Sequence, residues 1–158
     1  MSYRIGLGYD VHQMEKGRKL ILGGVEIPSE KGCVAHSDGD VLIHAICDAL
    51  LGASNLGDIG THFPDNDPKY KDIASTKLLE ETMRKIRNKG FEIVNIDSTI
   101  CLQYPKLASY KEKIMQNLVT LIGVSSISVK ATTTEKMGFI GEGKGISAYA
   151  TVMLEELL

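Results

Sequence analysis

Residues 3–12 run Tyr-Arg-Ile-Gly-Leu-Gly-Tyr-Asp-Val-His, with a large apolar side chain at every second position. This alternation predicts a β-strand with one apolar face, formed by Tyr3, Ile5, Leu7, Tyr9 and Val11. The opposite face ends in Asp10 and His12, which point the same way because they are two residues apart. The small neighbours Gly6 and Gly8 leave room on that face for another group to approach.

The first helix is predicted a short distance along the chain. Ser37 or Asp38 can cap its start, and its apolar pattern runs to about Leu51, with Gly52 past its end.

The same helix carries a polar stripe that supplies a third candidate ligand. Asp40, His44 and Asp48 follow one another at intervals of four residues and so share one side of the helix. With Asp10 and His12, His44 forms a three-ligand set typical of zinc with one open position. Asp40 or Asp48 could then hold the second nitrogen of His44. From the residues alone, an ordinary solvated helix face explains the stripe equally well.

The rest of the chain completes the predicted architecture. The strand over residues 91–102 is expected to place Val94, Ile96, Ile100 and Leu102 on one side. The order of elements indicates a single domain over residues 1–158, an α/β two-layer sandwich with one mixed sheet and helices on one face. The apolar outer face of the sheet needs cover, which a homo-oligomer would supply. The other predicted elements are a hairpin over 20–28, a long loop over 55–72, helices over 75–89 and 109–122, strands over 127–134 and 146–154, and a glycine-rich loop over 138–145.

Composition narrows the possible partners. The 158 residues are 43% hydrophobic and 24% charged, and the net charge of −2 argues against nucleic-acid binding. No apolar run approaches membrane-spanning length, and the early strand leaves no room for a signal peptide. Three cysteines without metal-type spacing are expected to be buried in a reducing compartment. Composition therefore argues against nucleic-acid and membrane partners, and we expect a cytoplasmic location.

Two loops are candidates for binding phosphate. Residues 36–40, His-Ser-Asp-Gly-Asp, precede the first helix, where free amides favour anions, although a plain capping loop is the alternative. Residues 132–135, Thr-Thr-Thr-Glu, place hydroxyls before a carboxylate, which suits a phosphate with its magnesium, although threonines are also good strand formers. The run over 141–145 precedes a strand, so it is neither a dinucleotide-binding fingerprint nor a Walker loop.

Several blocks in one order carry a resemblance to a known family. They are residues 4–6, 8–12, 35–40, 44–45, 48–53, 57–60, 63–65, 105–106 and 130–136. Over nearly the whole chain these blocks resemble the family of 2-C-methyl-D-erythritol 2,4-cyclodiphosphate synthases.

The resemblance implies an enzyme of the non-mevalonate isoprenoid pathway, a lyase that works as a homotrimer with active sites between subunits. Its substrate would be 4-diphosphocytidyl-2-C-methyl-D-erythritol 2-phosphate, whose own 2-phosphate attacks the β-phosphorus and expels CMP. The resemblance also implies zinc on Asp10, His12 and His44, and a second divalent cation, Mg²⁺ or Mn²⁺, contacted by Glu135. No protein nucleophile is needed, because the substrate carries both reacting groups.

The resemblance also assigns the remaining site residues. His36 and Thr133 match positions that stabilise the transition state, and Glu135 completes the catalytic set. The matched substrate-binding positions are Asp10, His12, His36, Ser37, Asp58, Ile59, Gly60, Phe63, Pro64, Asp65, Asn66, Asp67, Leu102, Pro105, Lys106, Leu107, Ala108, Thr132, Thr133, Thr134, Glu135, Phe139 and Glu142.

One position departs from the family pattern, and two other functions remain open. In many members of the family that this chain resembles, an arginine stands where this chain has Glu142. In the family that arginine faces an axial cavity, near Phe139, that can hold an isoprenoid diphosphate. The exchange predicts weak binding of such a ligand here. A zinc-dependent phosphate-ester hydrolase is one alternative function, and it would need a general base beside the metal. A non-catalytic trimer with a structural zinc is the other, and it would need a fourth protein ligand.

Overall fold

Five strands form one mixed sheet in the computed structural model, which describes residues 2–157. Across the sheet the order is β4 (Lys31–Val34), β1 (Ser2–Lys16), β7 (Gly145–Glu156), β5 (Phe91–Cys101) and β6 (Ile127–Thr132). Strands β5 and β6 are parallel, and the other neighbours are antiparallel. The prediction of a mixed sheet is therefore confirmed.

The predicted hairpin forms a separate two-stranded sheet instead of joining the main one. It consists of β2 (Leu20–Leu22) and β3 (Val25–Ile27). Its turn residues, Gly23 and Gly24, have φ angles of 60° and 77°, which side chains other than glycine rarely adopt.

The long helices form a second layer on one face of the sheet. Helix α1 (Val41–Ala53) lies against β1 and β7, α3 (Ser75–Asn88) packs on α1 and β5, and α4 (Lys111–Ile122) packs beside β6. Helix α4 ends at Gly123, which has a left-handed φ of 80°. Two single-turn helices, α2 (Ile59–His62) and α5 (Gly138–Gly141), lie in connecting segments. The two-layer arrangement agrees with the sequence prediction.

Helix α1 approaches β1 so closely that the interface has no space for side chains on the strand. A Cβ atom added to Gly8 would lie 1.8 Å from the carbonyl oxygen of Ala45, and one on Gly6 would lie 2.0 Å from that of Ala49. The room that these glycines leave is thus filled by the backbone of α1. The close contact brings a residue of α1 to the polar end of β1.

The opposite face of the sheet is apolar and exposed, as the alternation in β1 predicts. Ile5 and Leu7 are 72% and 67% exposed, and the rings of Tyr9 and Tyr149 contact each other on this face, tilted by 52° with centroids 4.8 Å apart. Other exposed members of the face are Tyr3, Val11 and Val94.

Several local predictions need correction. Asp40, not Ser37 or Asp38, caps α1, and its side chain accepts a hydrogen bond from the Ile43 amide. Val94 faces outward, because a bulge between Ile93 and Asn95 turns Ile93 inward instead.

The boundaries of the loops also differ from the prediction. The loop over 55–72 contains α2 and a 3₁₀ turn at Pro68–Tyr70, and the glycine-rich segment contains α5. Strand β6 ends at Thr132, so the last two threonines lie outside the sheet.

The three cysteines are buried and unpaired, as expected. Within residues 2–157, no helix combines the length and apolarity needed to cross a membrane.

Candidate active site and metal centre

The three predicted metal ligands meet at the junction of β1 and α1. Asp10 Oδ2 lies 2.9 Å from His12 Nε2 and 3.1 Å from His44 Nδ1, and the two nitrogens are 3.2 Å apart. Ligand atoms around a tetrahedral zinc are separated by about 3.3 Å, given metal–ligand distances near 2.0 Å. Two imidazole nitrogens and one carboxylate oxygen at these separations fit zinc with a fourth position open.

The electrostatics of this cluster follow from its partial burial. Burial alone would raise the pKa of Asp10, but hydrogen bonds and charge interactions with His12 and His44 outweigh it and lower that pKa to about 2. Burial alone would lower the pKa of His44, yet the hydrogen bond to Asp10 and the nearby carboxylates raise it. Asp10 is thus ionised and available as a ligand across the physiological pH range.

The second nitrogen of His44 contacts two hydroxyls rather than either carboxylate of the predicted stripe. Nε2 lies 2.8 Å from Ser75 Oγ and 3.1 Å from Ser37 Oγ. Asp48 instead accepts from the Ile59 amide, which fixes the start of α2. The prediction that Asp40 or Asp48 holds His44 is therefore wrong.

Asp40 has a structural task at the same end of the helix. Its buried carboxylate accepts from the amides of Gly23 and Gly24 at 3.0 and 2.7 Å, and so ties the hairpin to α1. Burial raises the pKa of Asp40 to about 6, since these backbone bonds offset the lost hydration only in part. The polar stripe is thus largely buried, and the solvated-face interpretation is wrong as well.

A cavity of about 360 Å³ opens beside the three ligands. The imidazole of His36 lies in its wall and donates from Nε2 to the Asp67 carbonyl at 3.1 Å. The predicted site residues that line this cavity are Asp10, His12, His36, Ser37, His44, Ile59, Gly60, Phe63 and Asp65. Sequence reasoning missed Tyr70 and Ile73, whose ordinary apolar or loop context gives no signal of a site.

Asp58 has a different immediate role in this structure. Its exposed carboxylate caps α2, accepting from the amide and the hydroxyl of Thr61 at 2.9 and 2.7 Å. The hydroxyl and amide bonds from Thr61 hold the pKa of Asp58 below its usual value. Asp58 and its predicted companions Pro64, Asn66 and Asp67 do not line the cavity.

A second group of predicted residues forms a separate, smaller cavity of about 170 Å³. It lies beside β6, where Thr133 follows the strand and Glu135 adopts a left-handed φ of 54°. The predicted residues in its wall are Leu102, Lys106, Leu107, Ala108, Thr132 and Thr133. Lys111, at the start of α4, also lines it and had no sequence signal.

One chain does not bring these two groups together. In the sheet register Asp10 pairs with Ala148, Ala148 with Ile100, and Ile100 with Ala131. The metal ligands and the threonine segment are thus three strand spacings apart, or about 14 Å. We call them the metal half-site (Asp10, His12, His36, Ser37 and His44) and the threonine half-site (Lys106 and residues 132–135).

The last predicted residues lie outside both half-sites. Pro105 and Glu142 line a third cavity of about 790 Å³. Glu142 pairs with Lys144 at 2.9 Å on the surface, and Phe139 is exposed.

The fold and the site together define a class of protein: a two-layer α/β protein with a candidate three-ligand metal site on a strand and the neighbouring helix. Residues 3–155 match the YgbB family. The curated relatives include two 2-C-methyl-D-erythritol 2,4-cyclodiphosphate synthases. The synthase of Desulfatibacillum aliphaticivorans is 54% identical, and the match covers 96% of this chain and 99% of the relative. The synthase of Syntrophotalea carbinolica is 57% identical, and the match covers 97% of this chain and 94% of the relative. The chain therefore belongs to the YgbB family of 2-C-methyl-D-erythritol 2,4-cyclodiphosphate synthases.

Solved structures agree with this assignment. The bifunctional IspDF of Campylobacter jejuni has a TM-score of 0.95 and 44% identity, and the match covers 99% of this chain and 43% of that one. The IspF of Plasmodium falciparum, solved as a CDP complex, has a TM-score of 0.86 and 37% identity, with 99% and 98% covered.

Proposed function

We propose that this protein converts 4-diphosphocytidyl-2-C-methyl-D-erythritol 2-phosphate into 2-C-methyl-D-erythritol 2,4-cyclodiphosphate and CMP. The observation that carries the proposal is the set of three ligand atoms 2.9–3.2 Å apart beside a cavity, in a chain whose relatives are synthases. In the reaction, the oxygen–phosphorus bond from the 2-phosphate to the β-phosphorus forms. The bond from that phosphorus to the CMP oxygen breaks, and CMP leaves with the electron pair.

The residues suit a reaction in which the protein positions and neutralises its substrate. Both reacting phosphates belong to one molecule, so holding it folded replaces an encounter between two molecules. His36 and Thr133 lie in the walls of different cavities and would contact the phosphates from two sides. Lys106 adds a positive charge to the threonine half-site, which lets a chain of net charge −2 bind a polyanion.

The metals extend this proposal. Asp10, His12 and His44 would hold zinc, and when bound it supplies a Lewis acid beside the diphosphate. Glu135 would contact a second divalent cation, Mg²⁺ or Mn²⁺, which would neutralise negative charge on the substrate phosphates. The other predicted substrate-binding residues would surround the methylerythritol and cytidine parts, including Asp58, Phe63, Leu102, Ala108 and Thr134.

A homotrimer would complete the site. The two half-sites are about 14 Å apart in one chain, since three strand spacings separate them. The apolar face of the sheet, with Ile5 and Leu7 more than half exposed, would be covered by neighbouring copies. The metal half-site of one subunit would then face the threonine half-site of the next. In this proposal residues 1–158 act as a single catalytic domain, and a cytoplasmic location stays a prediction.

Mixing two inactive variants tests the shared site directly. His44→Ala damages the metal half-site and Glu135→Gln damages the threonine half-site, so each variant alone is expected to be nearly inactive. After co-refolding at equal amounts, random assembly gives intact pairs of half-sites at about one quarter of the interfaces, and activity should return to that level. A mixture as inactive as its components would contradict the shared site.

Phosphorus NMR of the reaction with the cytidyl substrate separates the alternative functions. We expect the resonances of a cyclic diphosphate and of CMP. Linear phosphates would favour the zinc-dependent hydrolase, and an unchanged substrate would favour the non-catalytic trimer. Light scattering of the same sample should report three chains per particle.

A further inference from the structure

His44 begins a buried chain of hydrogen bonds whose direction is fixed at its far end. His44 Nε2 lies 2.8 Å from Ser75 Oγ, and that hydroxyl also contacts Oδ1 of Asp38. An ionised carboxylate can only accept hydrogen bonds. The hydroxyl proton of Ser75 therefore points to Asp38, and the oxygen accepts from His44.

This direction decides which nitrogen of His44 can bind a metal. A neutral imidazole carries one proton, and here Ser75 holds that proton on Nε2. In this neutral ring Nδ1 has no proton to donate to Asp10, so its lone pair faces Asp10 and His12 and can bind a metal held by all three. The Nδ1–Asp10 hydrogen bond described above belongs to the imidazolium, which carries a proton on both nitrogens. We propose that Ser75, oriented by Asp38, is a positioning residue that fixes His44 as an Nδ1 ligand and so sets the affinity of the metal centre. The inference rests on the proposed binding of zinc by Asp10, His12 and His44.

Burial and backbone contacts make this chain rigid. Ser75 is fully buried, so water cannot readily replace its hydroxyl. Asp38 is held by the amides of Ser75 and Asp40, at 3.0 and 3.2 Å. The chain of bonds thus joins the start of α3, the segment before α1, and α1 itself. A carboxylate that fixes a metal-bound imidazole through its other nitrogen is a recurring feature of zinc sites, and here a serine lies between the two.

Ser37 is the competing partner of the same nitrogen, and its contact is weaker. Its hydroxyl lies 3.1 Å from His44 Nε2, and it accepts from the Gly39 amide at 3.3 Å. Ser37 lines the open cavity, so its proton can turn toward water or substrate. Ser75 is therefore the partner that determines the orientation of His44.

Zinc affinity in two serine variants tests the proposal. Ser75→Ala removes the hydroxyl but keeps the amide that binds Asp38. We expect zinc affinity, measured by competition with a chromogenic chelator, to fall about 10–100-fold. Ser54→Ala is the matched control, because Ser54 is a buried serine at the end of α1 that donates only to the carbonyls of Leu50 and Leu51. Its zinc affinity should stay that of the parent.

A second measurement uses the zinc-loaded full chain labelled with ¹⁵N. In the parent, the Nε2 proton of His44 should exchange slowly with water, and in Ser75→Ala it should exchange quickly. Equal zinc affinity and equal exchange in the two proteins would overturn the role of Ser75. Equal weakening by both serine variants would also overturn it, since the effect would then be general. A parent that binds no zinc would overturn the ligand set itself.

Discussion

The metal half-site and the threonine half-site differ in how firmly the single chain holds them. His44 is buried, and its two ring nitrogens together contact four side chains. In the threonine half-site Glu135 is exposed and has a left-handed backbone conformation. Its amide donates a long hydrogen bond of 3.3 Å to Thr133 Oγ1. One half-site is therefore preorganised by packing, while the other is exposed and has few contacts within the chain.

This difference suggests that the two half-sites have different roles, one in binding the metal and the other in adjusting to the substrate. A preorganised ligand set binds a metal without reorganisation, which raises affinity. An exposed hydroxyl and carboxylate segment can instead adjust to a charged substrate and its cation. Variants in the two half-sites should therefore fail in different ways.

The largest effect is expected for His44→Ala. Zinc content should fall from about one per chain to a small fraction, because two ligands bind far more weakly than three. Turnover should fall about a thousandfold or more, since several kcal/mol of charge stabilisation are lost. Circular dichroism should show the parent fold. His62→Ala is the control, because His62 hydrogen-bonds to the Leu56 carbonyl and contacts the Phe63 ring but is not one of the three ligands. This variant should keep its zinc. Stoichiometric zinc retained in His44→Ala would contradict the ligand assignment.

Glu135→Gln should reduce turnover by about a hundredfold, as the loss of one charge-stabilising group commonly does. Zinc content should stay unchanged, while the magnesium concentration needed for half-maximal activity should rise. Magnesium titrations of the activity, with elemental analysis, check both points. Glu112→Gln, the same change on the surface of α4, serves as the control. A magnesium dependence equal to that of the parent would exclude the cation role.

Gly8→Ala probes the packing behind the metal half-site. Its Cβ would lie 1.8 Å from the Ala45 carbonyl oxygen, so α1 must move away from β1. We expect a loss of about 3 kcal/mol in the free energy of unfolding, with weaker zinc binding because His44 moves too. Gly52→Ala is the matched control on the same helix, since its added Cβ would meet no atom within 4 Å apart from its chain neighbours and the nearby backbone of α1. In urea denaturation, the free energy of unfolding of Gly52→Ala should equal that of the parent or exceed it by about 0.5–1 kcal/mol. A Gly8→Ala protein as stable as the parent would refute the close contact.

Glu142→Arg should have the smallest effect on turnover, because Glu142 lies outside both half-sites. Calorimetry should show that the parent binds farnesyl diphosphate weakly or not at all. The variant should bind it about tenfold more tightly, since the like charge is replaced by an opposite one. Tight, stoichiometric binding to the unmodified protein would contradict this expectation.

The three ligands of the metal half-site could be identified as candidates because their signals are local. Alternation placed Asp10 and His12 on one face, and helical spacing placed His44 on a stripe. The residues that hold His44 were not predictable in this way. Ser75 begins a different helix, and only tertiary packing brings it to His44. Helical spacing suggested that Asp40 binds the second nitrogen of His44, but its carboxylate accepts hydrogen bonds from the hairpin amides instead.

The errors in the fold have similar causes. The bulge that turns Val94 outward adds one residue to β5 without any change in composition. The glycines of β1 correctly indicated a close approach, but nothing in the sequence showed that the approaching group was the backbone of α1. The order of the longer elements, in contrast, followed from periodicity and turn residues, while the edge strand β4 and the single-turn helices α2 and α5 were not predicted.

If copies of the chain cover the apolar outer face of the sheet, stability depends on protein concentration. Each exposed aliphatic side chain that leaves water on assembly contributes about 25 cal/mol per Å² of apolar area. Where neighbouring copies provide that cover, dilution removes it by mass action, and the apparent melting temperature then depends on the amount of protein in the cell. A variant measured at nanomolar concentration would then lose stability for reasons unrelated to its substitution. Parent and variants are therefore comparable only at equal chain concentration.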